Sequence, residues 1–174
     1  MAISVELEIE RPEHIDAVRE VHRSAFGGGS EARLVDRLRA TDAFIPRLSL
    51  VACWGSLPVG HLLLTRGAVE CQSGREAALA LAPVAVRPEY QARGIGARLI
   101  HRALDDARSQ GFNLVVVLGH PDYYPRFGFV PASRFGIVAP FDVPDEAWMA
   151  RWLDASLARV LNGTMRYADP FHEL

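Results

Sequence analysis

The sequence predicts an α/β domain, and three observations support this. At 174 residues the chain has about the length of one domain, and its 49% hydrophobic content is ample for a single buried core. Apolar runs with strand spacing alternate with stretches of helical spacing. In the middle of the chain a strand, a glycine turn, a helix and another strand follow one another, which is typical of a parallel crossover. We therefore expect one domain over residues 1–174.

The N-terminal elements are predicted to be a strand followed by two helices. Residues 4 to 9 alternate as in a strand, and Pro12 stands where proline is tolerated at a helix start. Apolar residues at helical spacing predict an amphipathic helix over residues 12 to 26. The glycines at 27 to 29 end this helix, and Ser30 is placed to cap a second one.

Three strands and a crossover are predicted next. The apolar runs Leu48–Trp54 and Val59–Thr65 flank a Gly-Ser-Leu-Pro turn, which predicts a hairpin, and a third strand covers roughly residues 77 to 86. An apolar face from Ile95 to Ala107 predicts a helix, and a glycine ends it before the buried strand Leu114–Leu118.

The last third of the chain carries mostly turn signals. Residues 122 to 127 are predicted to form a short helix, and residues 128 to 131 begin another strand. Beyond them we expect one helix around Pro144 to Leu157 and a short strand near Met165.

Charge and composition argue against several classes of partner. The net charge is −2, from 19 basic and 21 acidic residues, so no overall field favours nucleic acid or an anionic membrane. The N-terminus lacks the apolar core of a signal peptide, and no apolar run approaches the roughly 20 residues of a membrane span, so we expect a cytoplasmic protein. Cys53 and Cys71 have no neighbouring His cluster and are predicted to be ordinary thiols, with no metal.

The segment between residues 84 and 97 carries the clearest functional signal. A strand that ends before Pro88 is followed by Gln-Ala-Arg-Gly-Ile-Gly-Ala at residues 91–97, which opens a helix. Gly94 and Gly96 allow a tight turn and the close approach of a ligand. The first N–H groups of the helix have no internal partner and suit an anion. This pattern predicts a phosphate site.

A Gly-x-Gly turn after a strand occurs in several phosphate-binding folds. A nucleoside triphosphate loop would end in Gly-Lys-Ser or Gly-Lys-Thr, which is absent here. The dinucleotide fingerprint would have a third glycine near Leu99, where none occurs. A nucleotide-dependent enzyme that uses this turn is therefore the last of our hypotheses.

The hexapeptide Gln-Ala-Arg-Gly-Ile-Gly at residues 91–96 resembles the acyl-CoA signature of the GNAT superfamily of N-acetyltransferases. The segment Leu-Gly-His-Pro-Asp-Tyr-Tyr-Pro-Arg-Phe-Gly-Phe at residues 118–129 looks like the family's second block, and its paired tyrosines are most similar to the bacterial YhbS-like subgroup. The resemblance covers a core of residues 3 to about 131, which leaves residues 132–174 as a C-terminal extension. It implies an α/β fold in layers, with helices on both faces of a mixed, mostly antiparallel sheet that splays between two parallel strands.

The resemblance also implies a binding site for acetyl-CoA between the splayed strands. The strand backbone would pair with pantetheine and the glycine turn would hold the pyrophosphate. Arg98 and Arg102 could also meet a phosphate, although a solvated helix face is the favoured interpretation of both. The residues expected to bind the co-substrate are Val84, Ala85, Val86, Gln91, Ala92, Arg93, Gly94, Ile95, Gly96 and Ala97.

Tyr124 matches the family's tyrosine that protonates the departing CoA thiolate. A phenol is protonated at neutral pH and can donate without special tuning, while simple packing under the cleft is the alternative. Tyr123 and Arg126 are predicted to be structural. The resemblance does not identify a general base in this chain, because Val117 and Leu118 stand where many relatives have an acidic residue. A chain of waters could replace it, and the candidate side chains are Glu31, Asp122, His120 and His22.

We therefore expect an acyl-CoA-dependent N-acyltransferase that moves acetyl to a primary amine by direct attack in a ternary complex. No covalent acyl-enzyme is expected, because both cysteines lie outside the two motifs. The acceptor would be a small molecule or a peptide, with no nucleic acid or membrane partner, and the protein a monomer or a homodimer. The alternative is a CoA-responsive binding or regulatory module with little turnover, which the missing acidic base favours.

Overall fold

The computed structural model describes residues 4–173. Its helices are α1 (Ile15–Phe26), α2 (Ser30–Arg39) and α3 (Ile95–Ser109). Its strands are β1 (Glu6–Ile9), β2 (Phe44–Trp54), β3 (Leu57–Cys71), β4 (Gly74–Val86), β5 (Leu114–Leu118), β6 (Val130–Pro131), β7 (Ile137–Val138), β8 (Trp148–Trp152) and β9 (Gly163–Arg166). Among these described residues no helix is both long and apolar enough to cross a membrane.

The strands form one mixed sheet in the order β1-β2-β3-β4-β5-β8-β6, with β9 pairing with β3 and with β7. Along this path every pair is antiparallel except β4 and β5, which are parallel and are joined through α3. This confirms the predicted α/β fold with a mixed, mostly antiparallel sheet.

Helices cover both faces of the sheet. On one side, which we call the α3 face, Leu99 and Ile100 of α3 pack in a large apolar cluster with Leu50 and Leu62 of the central strands. On the other side, the α1–α2 face, apolar residues of α2 pack on Leu63 of β3 and Val18 of α1 packs on β2. Burial of these apolar stripes is the main contribution that holds the layers together.

Strands β4 and β5 separate after a short parallel contact. They pair only at Leu79 with Val115 and at Ala80 with Val116. An extra residue in β4 after Leu81 shifts its register against β3, and such a bulge bends a strand. The segment Val84–Val86 therefore pairs with β3 on one side and, within the described residues, faces no strand on the other. This splay opens a cleft at the N-terminus of α3.

The predicted helix around residues 144 to 157 is wrong. This region contains β8, which pairs antiparallel with β5, and short 3-10 turns lie on both sides of it. Trp148 and Trp152 pack in the cluster of the α1–α2 face, while Met149 packs in that of the α3 face, so the burial has the period of a strand. The acidic and small residues before β8 imitate a helix start, and tertiary pairing overrides that signal.

Two local predictions also change. The predicted hairpin is formed by β2 and β3. The strands predicted at residues 59–65 and 77–86 extend further, as β3 and β4, and turn at residues 72 and 73, because β9 pairs with the added part of β3. Ser30 is the first residue of α2, and Gly29 takes the cap position without a side-chain bond. The end of α1 follows the prediction, with Gly27 in the left-handed region at a φ of 73°.

Candidate active site

A cavity of about 660 Å³ lies in the cleft between β4 and β5. Nine of the ten residues predicted to bind the co-substrate line it. Arg93 is the exception, and its guanidinium donates a hydrogen bond to the Glu89 carbonyl at 3.4 Å. The lining residues are Val84, Ala85, Val86, Tyr90, Gln91, Ala92, Gly94, Ile95, Gly96, Ala97, His120, Tyr123, Tyr124 and Arg126.

The loop before α3 has left-handed backbone at two positions that line this cavity. Ala92 and Gly94 both have left-handed backbone, with φ values of 60° and 80°. The first helical hydrogen bond runs from the Arg98 N–H to the Gly94 carbonyl at 3.0 Å, and no side chain caps the helix. The N–H groups of residues 95 to 97 thus have no partner within the helix. Together with the helix dipole, they make a site suited to an anion.

Gln91 ties this loop to the end of β4. Its amide nitrogen donates to the Val86 carbonyl at 2.9 Å, a contact that closes the turn from the strand into the loop. The family signature marks this position, but the sequence alone did not indicate what the side chain does. The bond therefore ties the loop to the strand beside the cavity.

Tyr124 stands at the start of a short 3-10 turn, Tyr124–Phe127, on the opposite wall of the cavity. Its ring packs edge to face on Phe129 at a centroid distance of 5.9 Å. A Cβ on Gly119 would overlap the Tyr124 ring, so this position requires glycine. Burial, with a smaller effect of Tyr123, raises the pKa of the Tyr124 phenol to about 12. The hydroxyl is therefore a proton donor throughout the neutral range.

Tyr123 and Arg126 reach the same cavity from the same turn. A Cβ on Gly96 would lie 3.3 Å from the Tyr123 hydroxyl, so that glycine provides room for the phenol beside the first turn of α3. The Arg126 guanidinium lies 4.7 Å from the centre of the Tyr123 ring, and its Nε donates to the Tyr123 carbonyl at 3.0 Å. Both make the predicted local contacts, and both also line the cavity. Among the described residues that line it, Arg126 is the one arginine.

The four candidate bases lie in three different parts of the fold. His120 lines the cavity and is exposed, whereas Asp122 is exposed and outside the lining. Glu31 is partly buried in α2. His22 is fully buried in α1, behind the sheet rather than in the cavity. Of the four, the structure brings only His120 to the cavity of Tyr124.

Arg98 and Arg102 of α3 have partners away from the cavity. Arg98 donates to the Val5 carbonyl at 3.0 Å, which ties α3 to the residue before β1. Arg102 pairs with Asp106 one turn later at 2.8 Å. These contacts agree with the favoured interpretation of a helix face.

A buried polar network occupies the α1–α2 face. The Arg39 guanidinium donates two hydrogen bonds to the Glu10 carboxylate, at 2.9 and 2.7 Å. His61 Nε2 lies 3.3 Å from Glu10 and 2.9 Å from the Ser49 hydroxyl. His22 Nε2 lies 2.8 Å from His61 Nδ1. Sequence reasoning missed this network, because its members lie on α1, α2, β2, β3 and the residue after β1 and share no spacing.

The protonation of this network follows from its contacts. Burial opposes ionisation of Glu10, but the hydrogen bonds from His61 and Arg39 outweigh it and hold the pKa of the carboxyl at about 2. Burial, followed by the field of His61, lowers the pKa of His22 to about 3. Burial also lowers the pKa of His61. At neutral pH the network thus contains a carboxylate, a guanidinium and two neutral imidazoles.

Glu8, His14 and Cys53 form a second cluster, with ligand atoms within 4.8 Å of one another. The Arg11 N–H donates to His14 Nδ1 at 3.1 Å, and Nε2 of the same ring lies 3.2 Å from the Glu8 carboxylate and 3.4 Å from the Arg11 guanidinium. A metal would need the Nε2 lone pair. Burial and Glu8 also raise the pKa of the Cys53 thiol to about 11, away from the thiolate. These residues satisfy one another and fit a metal poorly.

Comparison with known proteins agrees with this geometry. The model of the acetyltransferase (GNAT) family matches residues 15–129. The uncharacterized N-acetyltransferase YjhQ of Escherichia coli K12 is 42% identical over 157 residues, which cover 88% of this chain and 86% of YjhQ. The uncharacterized N-acetyltransferase YhbS of the same strain is 31% identical over 173 residues, or 99% of each chain.

Two solved structures share the whole fold. The crystal structure of Escherichia coli YhbS in complex with CoA superposes with a TM-score of 0.89 and 25% identity, over 99% of this chain and 94% of that one. A GNAT family acetyltransferase from Brucella melitensis in complex with acetyl-CoA gives a TM-score of 0.78 and 26% identity, over 97% of this chain and 99% of that one.

The splayed sheet, the glycine turn and the facing tyrosine define an acetyltransferase of the α/β class. The chain belongs to the GNAT family of acetyltransferases. Among its relatives are YjhQ and YhbS, which confirms the predicted resemblance to the YhbS-like subgroup.

Proposed function

We propose that the protein transfers an acetyl group from acetyl-CoA to a primary amine, within a ternary complex. The observation that carries this proposal is the cavity in which the free edge of β4, the N-terminus of α3 and the Tyr124 phenol meet. A strand edge suits pantetheine, and unpaired N–H groups suit a pyrophosphate. The CoA and acetyl-CoA complexes of YhbS and the Brucella relative support the same donor.

In the proposed reaction the amine nitrogen attacks the thioester carbonyl carbon and forms a C–N bond. The C–S bond then breaks, the nitrogen loses a proton, and the sulfur leaves as a thiolate. Tyr124 donates its phenolic proton to that sulfur, and the proton lost by the amine ultimately replaces it through solvent. Burial raises the pKa of Tyr124, so the phenol is protonated when the thiolate forms. Backbone N–H groups of β4 would stabilise the negative charge on the carbonyl oxygen.

Ligand-dependent melting tests the donor. We expect 1 mM CoA or acetyl-CoA to raise the melting temperature, because a ligand at a hundred times its Kd stabilises the folded state by about 2.7 kcal/mol. ATP and NAD at the same concentration are the controls. No shift with either CoA compound, or a larger shift with ATP or NAD, would refute the proposed donor.

Turnover of acetyl-CoA tests the chemistry. Release of the CoA thiol would be measured over a panel of alkyl, aromatic and polyamine acceptors and lysine peptides. We expect Tyr124→Phe to lower kcat by about 10² to 10⁴ while the affinity for CoA stays unchanged. Tyr167→Phe is the matched control, since Tyr167 is a partly buried tyrosine packed on Phe141 and Phe171, outside the cavity. Binding of CoA without turnover of any amine would instead support the CoA-responsive regulatory module.

A further inference from the structure

One permanently charged side chain lines the cavity, and it does not come from the glycine signature. Among the described residues of the lining, Arg126 is the one arginine, and no aspartate or glutamate occurs there. Arg93, the arginine of the signature, lies outside the lining and donates to the Glu89 carbonyl. The permanent positive charge of the cavity therefore comes from the turn that carries Tyr124.

Local contacts hold Arg126 in place but do not neutralise it. Its Nε donates to the Tyr123 carbonyl at 3.0 Å, and its guanidinium lies 4.7 Å from the centre of the Tyr123 ring. A guanidinium has five N–H donors, and this bond uses one. Other arginines, such as Arg39 and Arg102, pair with carboxylates, whereas Arg126 has no such partner among the described residues. The side chain is exposed, so water can satisfy its N–H groups, but only an anion neutralises its charge.

The Tyr123 ring places this charge beside the start of α3. A Cβ on Gly96 would lie 3.3 Å from the Tyr123 hydroxyl, so the phenol reaches the first turn of the helix. The N–H groups of residues 95 to 97 belong to that turn and have no partner within the helix. The guanidinium of Arg126 stacks on the same ring. Two sources of positive potential, from opposite walls of one cavity, thus lie against a single phenol ring.

These two sources together suit a ligand with two neighbouring anionic groups. The helix start offers backbone N–H donors that suit one phosphate. The guanidinium offers parallel N–H groups that match the oxygens of a second phosphate. A pyrophosphate has two phosphates joined through one oxygen, so it can contact both walls. The proposed donor, acetyl-CoA, contains such a group, and the structures of YhbS and the Brucella relative contain CoA and acetyl-CoA.

We propose that Arg126 binds the pyrophosphate of the acyl-CoA donor from the wall of Tyr124, while the N–H groups at the start of α3 bind it from the opposite wall. This role rests on the proposed acetyl transfer. It gives Arg126 a part beyond the local contacts that the sequence predicts. Because Tyr124 and Arg126 belong to the same turn, the contact also ties the phosphates of the donor to the segment that holds the proton donor.

Three substitutions separate a direct contact from other effects of charge. Arg126→Met removes the charge and keeps an unbranched side chain. Arg126→Lys keeps the charge but loses the planar fork and the bond from Nε. Arg93→Met is the matched control, because it removes one positive charge from the signature itself but from outside the lining. Both arginines are exposed, so each variant should melt within about 2 °C of the wild type.

The probes are CoA, dephospho-CoA, which lacks the 3′-phosphate but keeps the pyrophosphate, and pantetheine, which lacks both. Calorimetric titration measures the Kd of the first two, and ligand-observed NMR measures that of pantetheine. We expect Arg126→Met to weaken the binding of CoA and of dephospho-CoA about tenfold, the scale of one charge-assisted contact, and Arg126→Lys about threefold. The Kd of pantetheine in Arg126→Met, and every Kd in Arg93→Met, should stay within about twofold of the wild type.

The outcomes are distinct. An unchanged affinity of Arg126→Met for dephospho-CoA overturns the contact with the pyrophosphate, and a loss confined to CoA assigns Arg126 to the 3′-phosphate instead. An equal loss for pantetheine shows that the substitution disturbs the turn, and an equal loss in Arg93→Met shows a long-range effect of charge. Either of these results also overturns the proposal. If neither CoA nor dephospho-CoA binds the wild type, the proposed function itself fails.

Chemical modification tests the contact in the wild type, without any variant. Phenylglyoxal reacts with exposed arginine side chains, and mass spectrometry of the digested protein gives the extent of reaction at each one. At about ten times its Kd, dephospho-CoA should slow the reaction of Arg126 about tenfold, because only the free protein reacts. Arg93 should react at an unchanged rate. An equal rate at Arg126 with and without dephospho-CoA overturns the proposal, also where pantetheine binds too weakly for a Kd to be measured.

Discussion

The β4 segment Val84–Val86 separates two regions, the cavity on one side and the polar network of the α1–α2 face on the other. Different kinds of contact hold these two regions together. On the cavity side the loop is held to the strand by a contact that is short in sequence, the bond from Gln91 to Val86, five residues apart. On the α1–α2 side they are long, with sequence separations of 29 from Glu10 to Arg39 and of 39 from His22 to His61. The first side is built from backbone and glycines, and the second from buried charged and polar side chains.

This difference has a consequence for both stability and recognition. A site made of backbone depends on local φ and ψ values, so its loss should affect the ligand and the loop but not the whole fold. A buried network depends on every member, because removal of one leaves another buried and unpaired. The predictions below separate these two kinds of construction.

The largest expected effect is on the buried ion pair. Glu10→Gln leaves the Arg39 guanidinium, which is 12% exposed, with Asp36 as its remaining carboxylate partner. We expect the free energy of unfolding to fall by about 3 kcal/mol, the scale for breaking a buried pair. Denaturant unfolding measures it. In the control, Glu173→Gln removes an exposed partner of Arg37 and should change the free energy by less than about 0.5 kcal/mol. Equal effects would show that the network is not the stabilising unit.

The sequence predicts the cavity side well for a physical reason. A tight turn, a strand end and a helix start each require particular residues within a few positions. Pro88, Gly94 and Gly96 therefore predict these features without any structure. The buried polar network of the α1–α2 face cannot be predicted from the sequence in this way. Glu10, Arg39 and His61 look like ordinary polar residues of separate elements, and only the packing of α1 and α2 on β3 brings them together.

The same contrast explains the wrong helix near the C-terminus. The local signals before Trp148 favour a helix start, whereas the alternating burial from Trp148 to Trp152 becomes visible only when β8 lies beside β5. The family resemblance was weakest in this extension, so it gave no correction. Long-range pairing decides such segments, and composition does not.

Acid should weaken the α1–α2 side selectively. The pKa of His22 is about 3 in the folded protein against an ordinary value of 6.5, so the unfolded chain binds one more proton between these pH values. Stability from this residue is fully present above pH 6.5 and is lost as the pH falls toward 3. From pH 7 to pH 5 we expect the wild type to lose about 2 kcal/mol more than His22→Gln.

Denaturant unfolding of both proteins at several pH values measures this difference. His172→Gln is the matched control, because His172 lies at an exposed position near the C-terminus. Its pH dependence should equal that of the wild type. If His22→Gln has the same pH dependence as the wild type, the His22 imidazole is not held neutral by burial.

The smallest expected effect lies on the cavity side. Gly94 has a φ of 80° and free space where a Cβ would stand, so Gly94→Ala has only backbone strain to overcome. We expect a loss of about 1 kcal/mol in the free energy of unfolding and a weaker affinity for CoA, because strain in the loop tilts the N–H groups at the start of α3. Gly28→Ala is the control, since Gly28 also has free space but no left-handed backbone, and it should be neutral or slightly stabilising. Calorimetric titration with CoA and denaturant unfolding test both. An unchanged CoA affinity in Gly94→Ala would mean that side chains such as Arg126, rather than the loop backbone, hold the phosphates.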